Sequence, residues 1–164
     1  MSRGFVKEED QENVPVVNMR AYLPDGVPNY VTPNGYRQLI EEKEGMLTEL
    51  TRLSAIDGDT HIETNYIDAK MKLLNDRLLS ARVVDTEKNS TEIVMFGSIV
   101  SVSKNGSEQL LQYQIVGADE ADTVNEKISF VSPLAKMLMN KRVGEEIVLK
   151  TPKGNDVYKI INVD

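Results

Sequence analysis

Residues 32–81 read TPNGYRQLIEEKEGMLTELTRLSAIDGDTHIETNYIDAKMKLLNDRLLSA, and this stretch decides the fold of the chain. Thr32 is suited to cap a helix, and Pro33 follows at the first helical position, where a missing N–H costs nothing. Apolar residues then recur in steps of three and four, interrupted by one polar position at Lys43, and this is the spacing of a seam along which two helices pack. The seam positions are Tyr36, Leu39, Met46, Leu50 and Leu53, widened by Ile40 and Leu47, and then Ile67, Met71, Leu74, Leu78 and Ala81.

The two seams are separated by the turn sequence Asp57-Gly58-Asp59. Thr60 and Glu63 follow with the spacing of a capping box, in which both side chains accept hydrogen bonds from free backbone N–H groups. Two helices of similar length joined by a short turn predict an antiparallel coiled-coil hairpin over residues 32–85. With about 23 residues per helix, the rod would be roughly 35 Å long.

Residues 86–164 change to period-two alternation and short apolar runs, which are typical of strands. A single helix interrupts them, with Ser132 as its cap and Pro133 at its first position. The predicted strands are Glu92–Phe96, Ser98–Val102, Leu110–Val116, Ile128–Val131, Glu146–Lys150 and Val157–Val163, with turns at Asn105-Gly106 and Pro152-Lys153-Gly154-Asn155. Strands around one short helix predict a compact α+β domain, which would anchor the hairpin.

Residues 1–31 contain three prolines and a cluster of acids, and they have neither helical nor strand periodicity. Segments of this kind lack the apolar pattern that ordered elements need. We therefore expect an extended or disordered leader ahead of the hairpin.

The composition excludes several kinds of site. The chain has no cysteine, so cysteine zinc sites, iron–sulfur clusters and cysteine nucleophiles are impossible. His61 is the only histidine, and a lone histidine at a polar helix start is usually a solvated surface residue. The net charge of -7 argues against a protein that holds nucleic acid mainly through its phosphates. No apolar run approaches the roughly 20 residues of a membrane span, and the N-terminus lacks a secretory signal, so we expect a cytoplasmic protein.

The acids at the predicted tip of the rod are the remaining candidates for chemistry. Asp57, Asp59 and Glu63 supply carboxylate oxygens, which are the ligands that Mg²⁺ prefers. A plainer interpretation is also available, because aspartate favours turns and helix caps, and acids favour the positive end of a helix. The residues alone leave both interpretations open.

Four motifs in the C-terminal half resemble the bacterial Gre transcript-cleavage and elongation factors. They are FGSIVSV (96–102), QIVGADEAD (114–122), ISFVSPLAK (128–136) and VGEEIVLKTPKG (143–154), and VTPNGY (31–36) at the start of the rod is similar as well. The resemblance covers about 130 residues in a consistent order, and only residues 1–30 lie outside it.

The resemblance implies an antiparallel coiled coil followed by a domain similar to FK506-binding prolyl isomerases (FKBP-like). It also implies a monomer that binds RNA polymerase, with a docking surface around Ser132, Pro133 and Leu134. The coiled coil would enter the polymerase secondary channel and contact the transcript RNA only indirectly. Its tip acids, here Asp59 and Glu63, would help the polymerase hold a Mg²⁺ ion that cuts backtracked RNA. The factor would have no cofactor, no metal site and no nuclease activity of its own, although DNA binding within the transcription complex is implied.

The tip departs from the family pattern, which is roughly G-D-x-x-E-N-x-x-Y. Gly58, Asp59 and Tyr66 match it, but Ile62 stands at the second acidic position and Glu63 one residue later. One helical step turns a side chain by about 100°, so Glu63 points elsewhere. The rod is also shorter than is usual in the family.

Three hypotheses follow from the resemblance. The first is a factor that promotes transcript cleavage. The second is a polymerase-binding regulator of the nucleoside diphosphate kinase regulator type, which lacks that activity. The third is a peptidyl-prolyl isomerase, which rests only on fold analogy.

Overall fold

A computed structural model describes residues 15–164, in which three α-helices and seven β-strands follow one another along the chain. The helices are α1 (Pro33–Ser54), α2 (His61–Ser80) and α3 (Pro133–Leu138). The strands are β1 (Asn29–Val31), β2 (Ala81–Val83), β3 (Ile99–Lys104), β4 (Leu110–Val116), β5 (Lys127–Ser129), β6 (Glu146–Thr151) and β7 (Gly154–Val163), and a short 3₁₀ helix spans Ala118–Glu120. The prediction of an α+β fold is confirmed. Among the described residues, no helix is both long enough and apolar enough to cross a membrane.

Helices α1 and α2 pack against each other and form a projecting rod. Their buried seam residues are Leu39, Met46 and Leu53 on α1, and Met71 and Leu74 on α2. The start of α1 and the end of α2 lie together because β1, just before α1, pairs with β2, just after α2. The two helices therefore run in opposite directions, and their 22 and 20 residues correspond to about 33 and 30 Å.

The globular part is built on a five-stranded sheet with the order β5-β4-β3-β7-β6. The pairs β3–β4, β3–β7 and β6–β7 are antiparallel, whereas β4 and β5 are parallel. Helix α3 packs beside β6, and its Ala135 and Leu138 join Val100, Ile115 and Ile160 in a fully buried core. Asn105 and Gly106 adopt the left-handed conformations, φ 51° and 74°, of the predicted turn between β3 and β4.

The predicted cap of α1 is confirmed, whereas the capping box of α2 is wrong. The Thr32 oxygen accepts a hydrogen bond from the N–H of Gly35 at 2.9 Å. Thr60 makes no such bond, because its φ and ψ of -117° and 16° are not the extended values that a capping side chain requires. Asp59 Oδ1 instead accepts from the N–H of His61 at 3.1 Å.

Two further predictions are wrong in detail. Leu47 does not widen the seam of the rod, because 49% of it is exposed. Residues 92–96 do not form a strand, since the only bridge there is between Ile93 and Arg142. Backbone bonds such as Val94 N–H to Lys141 C=O tie this segment to residues 140–143, a contact that is too short to become a ladder.

The predicted leader, residues 1–31, is described only from residue 15 onwards. Residues 15–28 contain neither helix nor strand, and residues 29–31 then form β1. The acidic cluster of the leader lies outside the described residues.

Candidate functional site

The acids at the tip of the rod are exposed and lie at the end farthest from the sheet. Asp57 and Asp59 belong to the connection 55–60, and Glu63 lies in the first turn of α2. Asp59 also closes a local turn into α2 by accepting a hydrogen bond from the N–H of His61, so its side chain has a structural task besides any chemical one. Within residues 15–164, no group of three or more His, Cys, Asp or Glu side chains is arranged to hold a metal ion. The tip can therefore contribute carboxylates to an ion that a partner holds, but it does not form a metal cage.

Apolar side chains share the tip with these acids. Ile62 is 81% exposed and Ile56 is 44% exposed. Tyr66 lies one helical turn further on, with the Lys70 ammonium 5.6 Å from its ring centre. Ile62 occupies the position where the family pattern has its second acid, and it points into solvent. The tip therefore has one acid in the family position (Asp59), a second acid displaced by one residue (Glu63) and an exposed isoleucine (Ile62).

The predicted docking residues lie at the start of α3. Ser132 caps this helix, since its hydroxyl oxygen accepts from the N–H of Ala135 at 3.3 Å. Pro133 is exposed at the first helical position, whereas Leu134 is half-buried against the sheet core. The cap and the buried side of α3 hold Pro133 towards solvent, where a partner can reach it.

Sequence reasoning missed the junction between the rod and the globular domain, where Glu120 lies. Glu120 is buried, and its carboxylate accepts hydrogen bonds from the Thr32 hydroxyl, from Asn34 Nδ2 at 2.9 Å and from Lys127 Nζ at 3.2 Å. A Cβ on Gly35 would lie 2.5 Å from Glu120 Oε2, so only glycine permits this approach. The first turn of α1 is therefore bonded into the globular domain.

Asp119, next to Glu120, holds a second part of the junction. Its side chain is 6% exposed and lies between Arg20 Nε at 2.8 Å and Arg77 Nε at 3.3 Å. Arg20 also donates to both carboxylate oxygens of Glu42 on α1, each at 3.0 Å. The hydrogen bond to Glu42, reinforced by Asp119, raises the pKa of Arg20 above its ordinary value despite partial burial.

A sequence signal for this junction does exist. Only two residues separate Asp119 and Glu120 from the end of β4, whose last residues are completely buried, and two acids at such a point need partners. An aromatic group reinforces the same junction, because the Tyr30 ring of β1 lies 6.0 Å from Phe96 and 5.7 Å from Phe130. Both polar and apolar contacts at the junction thus link the direction of the rod to the position of the sheet.

The described residues thus form a two-helix rod attached to a five-stranded sheet domain, with acids at the exposed end of the rod. The family model described as transcription elongation factor GreA/GreB, C-terminal part, matches residues 89–164. The transcription elongation factor GreB of Neisseria meningitidis serogroup A is 35% identical over 154 residues, which covers 83% of this chain and 93% of that protein. The transcription elongation factor GreA of Francisella philomiragia is 44% identical over 99 residues, covering 60% of this chain and 62% of its own. The chain therefore belongs to the GreA/GreB family of transcription elongation factors.

Solved structures of related proteins are similar over most of the chain. The GreA factor homolog 1 (Gfh1) protein of Thermus thermophilus is 26% identical and covers 84% of this chain and 99% of its own, with a TM-score of 0.40. The GreA/GreB factor of Nitrosomonas europaea is 24% identical and covers 82% of this chain and 97% of its own, with a TM-score of 0.42.

Proposed function

We propose that this protein binds RNA polymerase at its secondary channel and promotes cleavage of backtracked transcripts by the polymerase active site. Membership of the GreA/GreB family supports a role in transcription elongation. The observation that carries the proposal is the position of Asp59 and Glu63, both exposed at the far end of a rod whose base is bonded to the globular domain. Such a rod can carry carboxylates into a narrow channel while the globular domain stays outside.

In this proposal the two packed helices act as a coiled-coil hairpin and the curled sheet acts as an FKBP-like docking domain. The exposed start of α3, with Ser132, Pro133 and Leu134, contacts the polymerase. Asp59 and Glu63 would contribute carboxylates to a Mg²⁺ ion held mainly by the polymerase, and that ion would supply an activated water for hydrolysis of a phosphodiester bond in the RNA. The protein has no enzymatic activity and no metal of its own, and it works in the cytoplasm as a monomer.

A transcript-cleavage assay with a stalled complex tests the proposal. Asp59→Asn removes the charge but keeps a side-chain oxygen that can accept from the N–H of His61, so a loss of cleavage reports on chemistry rather than on folding. We expect cleavage with the wild-type protein and little with Asp59→Asn. Asp68→Asn is the matched control, because Asp68 is an exposed aspartate on α2, away from the tip. Equal cleavage with and without the wild-type protein would contradict the proposal.

The exposed Ile62 favours a second candidate, a polymerase-binding regulator that does not stimulate cleavage. An isoleucine cannot hold a metal ion at the position of the second acid. This candidate predicts that Asp59→Asn binds polymerase as tightly as the wild-type protein and that neither protein stimulates cleavage.

A further inference from the structure

We infer that Arg20 is a positioning residue that sets the direction of the rod relative to the globular domain. It does so in a group of four side chains, Arg20, Glu42, Arg77 and Asp119, which we call the Arg20 clasp. The consequence for channel entry rests on the proposed function, whereas the clasp itself does not.

The Arg20 guanidinium joins three separate parts of the chain. Its own residue belongs to the segment before β1, Glu42 lies on α1, and Asp119 lies in the 3₁₀ helix of the globular domain. The Arg20 guanidinium donates two parallel hydrogen bonds to the Glu42 carboxylate and a third hydrogen bond to Asp119. A planar, bidentate group of this kind fixes angles as well as distances.

Arg77 closes the clasp from the second helix of the rod. Its Nε lies 3.3 Å from Asp119 Oδ2, and its Nη2 donates to the backbone carbonyl of Ala21, next to Arg20. Helix α2 therefore contacts Asp119 directly through Arg77, whereas α1 is linked to Asp119 through Glu42 and Arg20. Two guanidinium groups face two carboxylates, so the charges of this partly buried cluster balance.

Because the clasp lies near the base of the rod, a small change of angle there displaces the tip. Glu42 lies in the lower half of α1, and the tip begins after Ser54 at the other end of that helix. For a rod of about 33 Å, a change of about 10° at the base would move the tip by about 6 Å. A carboxylate displaced by that distance would leave any metal ion it was placed to meet. The N-terminal segment thus controls the position of the tip, although the two are not adjacent.

Distance measurements between spin labels on the free protein test this inference. The chain has no cysteine, so the substitutions Gly58→Cys and Glu108→Cys place one label at the tip and one in the exposed turn between β3 and β4. A Cβ at Gly58 meets no atom within 4 Å, so the tip label is tolerated. We expect a narrow distance distribution in this labelled parent, and a broader, shifted one after Arg20→Ala. Arg52→Ala is the control, because it removes an exposed ion pair with Glu49 on the same rod.

The outcomes separate the clasp from the proposed function. A distribution that is unchanged by Arg20→Ala, or equally broadened by Arg52→Ala, would overturn the inference. If circular dichroism shows that Arg20→Ala does not fold, the test uses Glu42→Gln, which alters the clasp at its residue on α1. A broader distance distribution in Glu42→Gln supports the clasp, and an unchanged distribution overturns it. Because polymerase is absent from the measurement, a protein without cleavage activity can still have the clasp, and a cleaving protein can lack it.

Discussion

Thr32 donates its hydroxyl hydrogen bond to the carboxylate of Glu120, 88 positions later in the chain. The same hydroxyl oxygen accepts from the N–H of Gly35 and thereby caps α1. One side chain thus starts the rod and bonds it to the globular domain. Folding of the first helical turn and attachment of the rod are therefore coupled, and substitutions at this point should affect both.

Two glycines of the same helix should respond in opposite directions to alanine. Gly35→Ala places a Cβ 2.5 Å from a buried carboxylate oxygen of Glu120, so we expect the free energy of unfolding to fall by about 1–3 kcal/mol. At Gly45 a Cβ meets nothing within 4 Å, so Gly45→Ala should raise the free energy of unfolding by about 0.5–1 kcal/mol. Urea denaturation measures both. A higher free energy of unfolding in both variants would show that the Glu120 side chain moves aside freely.

Removal of the Glu120 carboxylate should destabilise the protein clearly. Glu120→Ala leaves the Thr32 hydroxyl and Asn34 amide without their acceptor and Lys127 without its counter-ion, at a cost of about 2–4 kcal/mol. Glu41→Ala is the control, because it breaks only an exposed pair with Arg37 and should change stability by less than about 0.5 kcal/mol. Similar losses in the two variants, measured by urea denaturation, would contradict the role of Glu120.

An acid in place of Ile62 should increase transcript cleavage. Ile62→Glu restores a carboxylate at the second acidic position, and the 81% exposure of Ile62 means that the change costs little stability. We expect cleavage about tenfold faster, equivalent to about 1.4 kcal/mol in the barrier. Leu79→Glu is the control, since Leu79 is 85% exposed at the other end of α2. Equal rates for Ile62→Glu and the wild type would indicate that the tip does not reach the active site.

A charge at the start of α3 should weaken binding to RNA polymerase. Pro133→Glu introduces an acid at the first helical position, where the helix tolerates it, but makes the proposed docking surface negative. We expect about tenfold weaker binding, as for the loss of one good interface contact. Biolayer interferometry with purified polymerase measures this, and Pro152→Glu in the exposed turn between β6 and β7 is the control. Unaltered affinity of Pro133→Glu would place the contact elsewhere.

The turn between β3 and β4 should show a pH effect that depends on Asn105. The Asn105 amide, followed by Lys104, lowers the pKa of Asp156 below 3.8. A lowered pKa stabilises the folded state above the unfolded-state pKa, and this contribution is lost as the pH falls through the folded-state value. Asn105→Gly keeps the left-handed backbone but removes the amide, so the pKa of Asp156 should rise towards 3.8.

Carboxyl NMR titration of Asp156 in the wild type and in Asn105→Gly measures this shift directly. The difference in unfolding free energy between the two proteins should also narrow as the pH falls below the ordinary value of 3.8. Identical titration curves in the two proteins would show that Lys104 alone accounts for the lowered pKa.

Local patterns predicted most of the fold because the features behind them are local. The spacing of Leu39, Met46 and Leu53 gave one buried helix face, and period-two alternation gave the strand Leu110–Val116 with its observed bounds. The start of α1 followed from Thr32 and Pro33 alone. Asp57 and Asp59 were expected in an exposed turn, and that is where they lie, although their part in chemistry stays a prediction.

The features that could not be predicted depend on residues far apart in the chain. Arg20 meets Asp119 across 99 positions, and no local pattern identifies that partner. Whether Asp59 or Thr60 makes the side-chain hydrogen bond at the start of α2 depends on backbone angles within the turn. The segment 92–96 has a strand-like composition, but its neighbour 140–143 offers too few aligned groups for a ladder.

Pairing of β1 with β2 means that the chain enters and leaves the rod at one point. A protrusion closed in this way behaves as a module: matched turns can be added to or removed from both helices while the attachment at Asn29 and Val83 stays as it is. Reach can then change through paired insertions and deletions, independently of the surface by which the protein holds its partner. Within such a family, the length of the arm is a variable that evolution can adjust without redesigning the body.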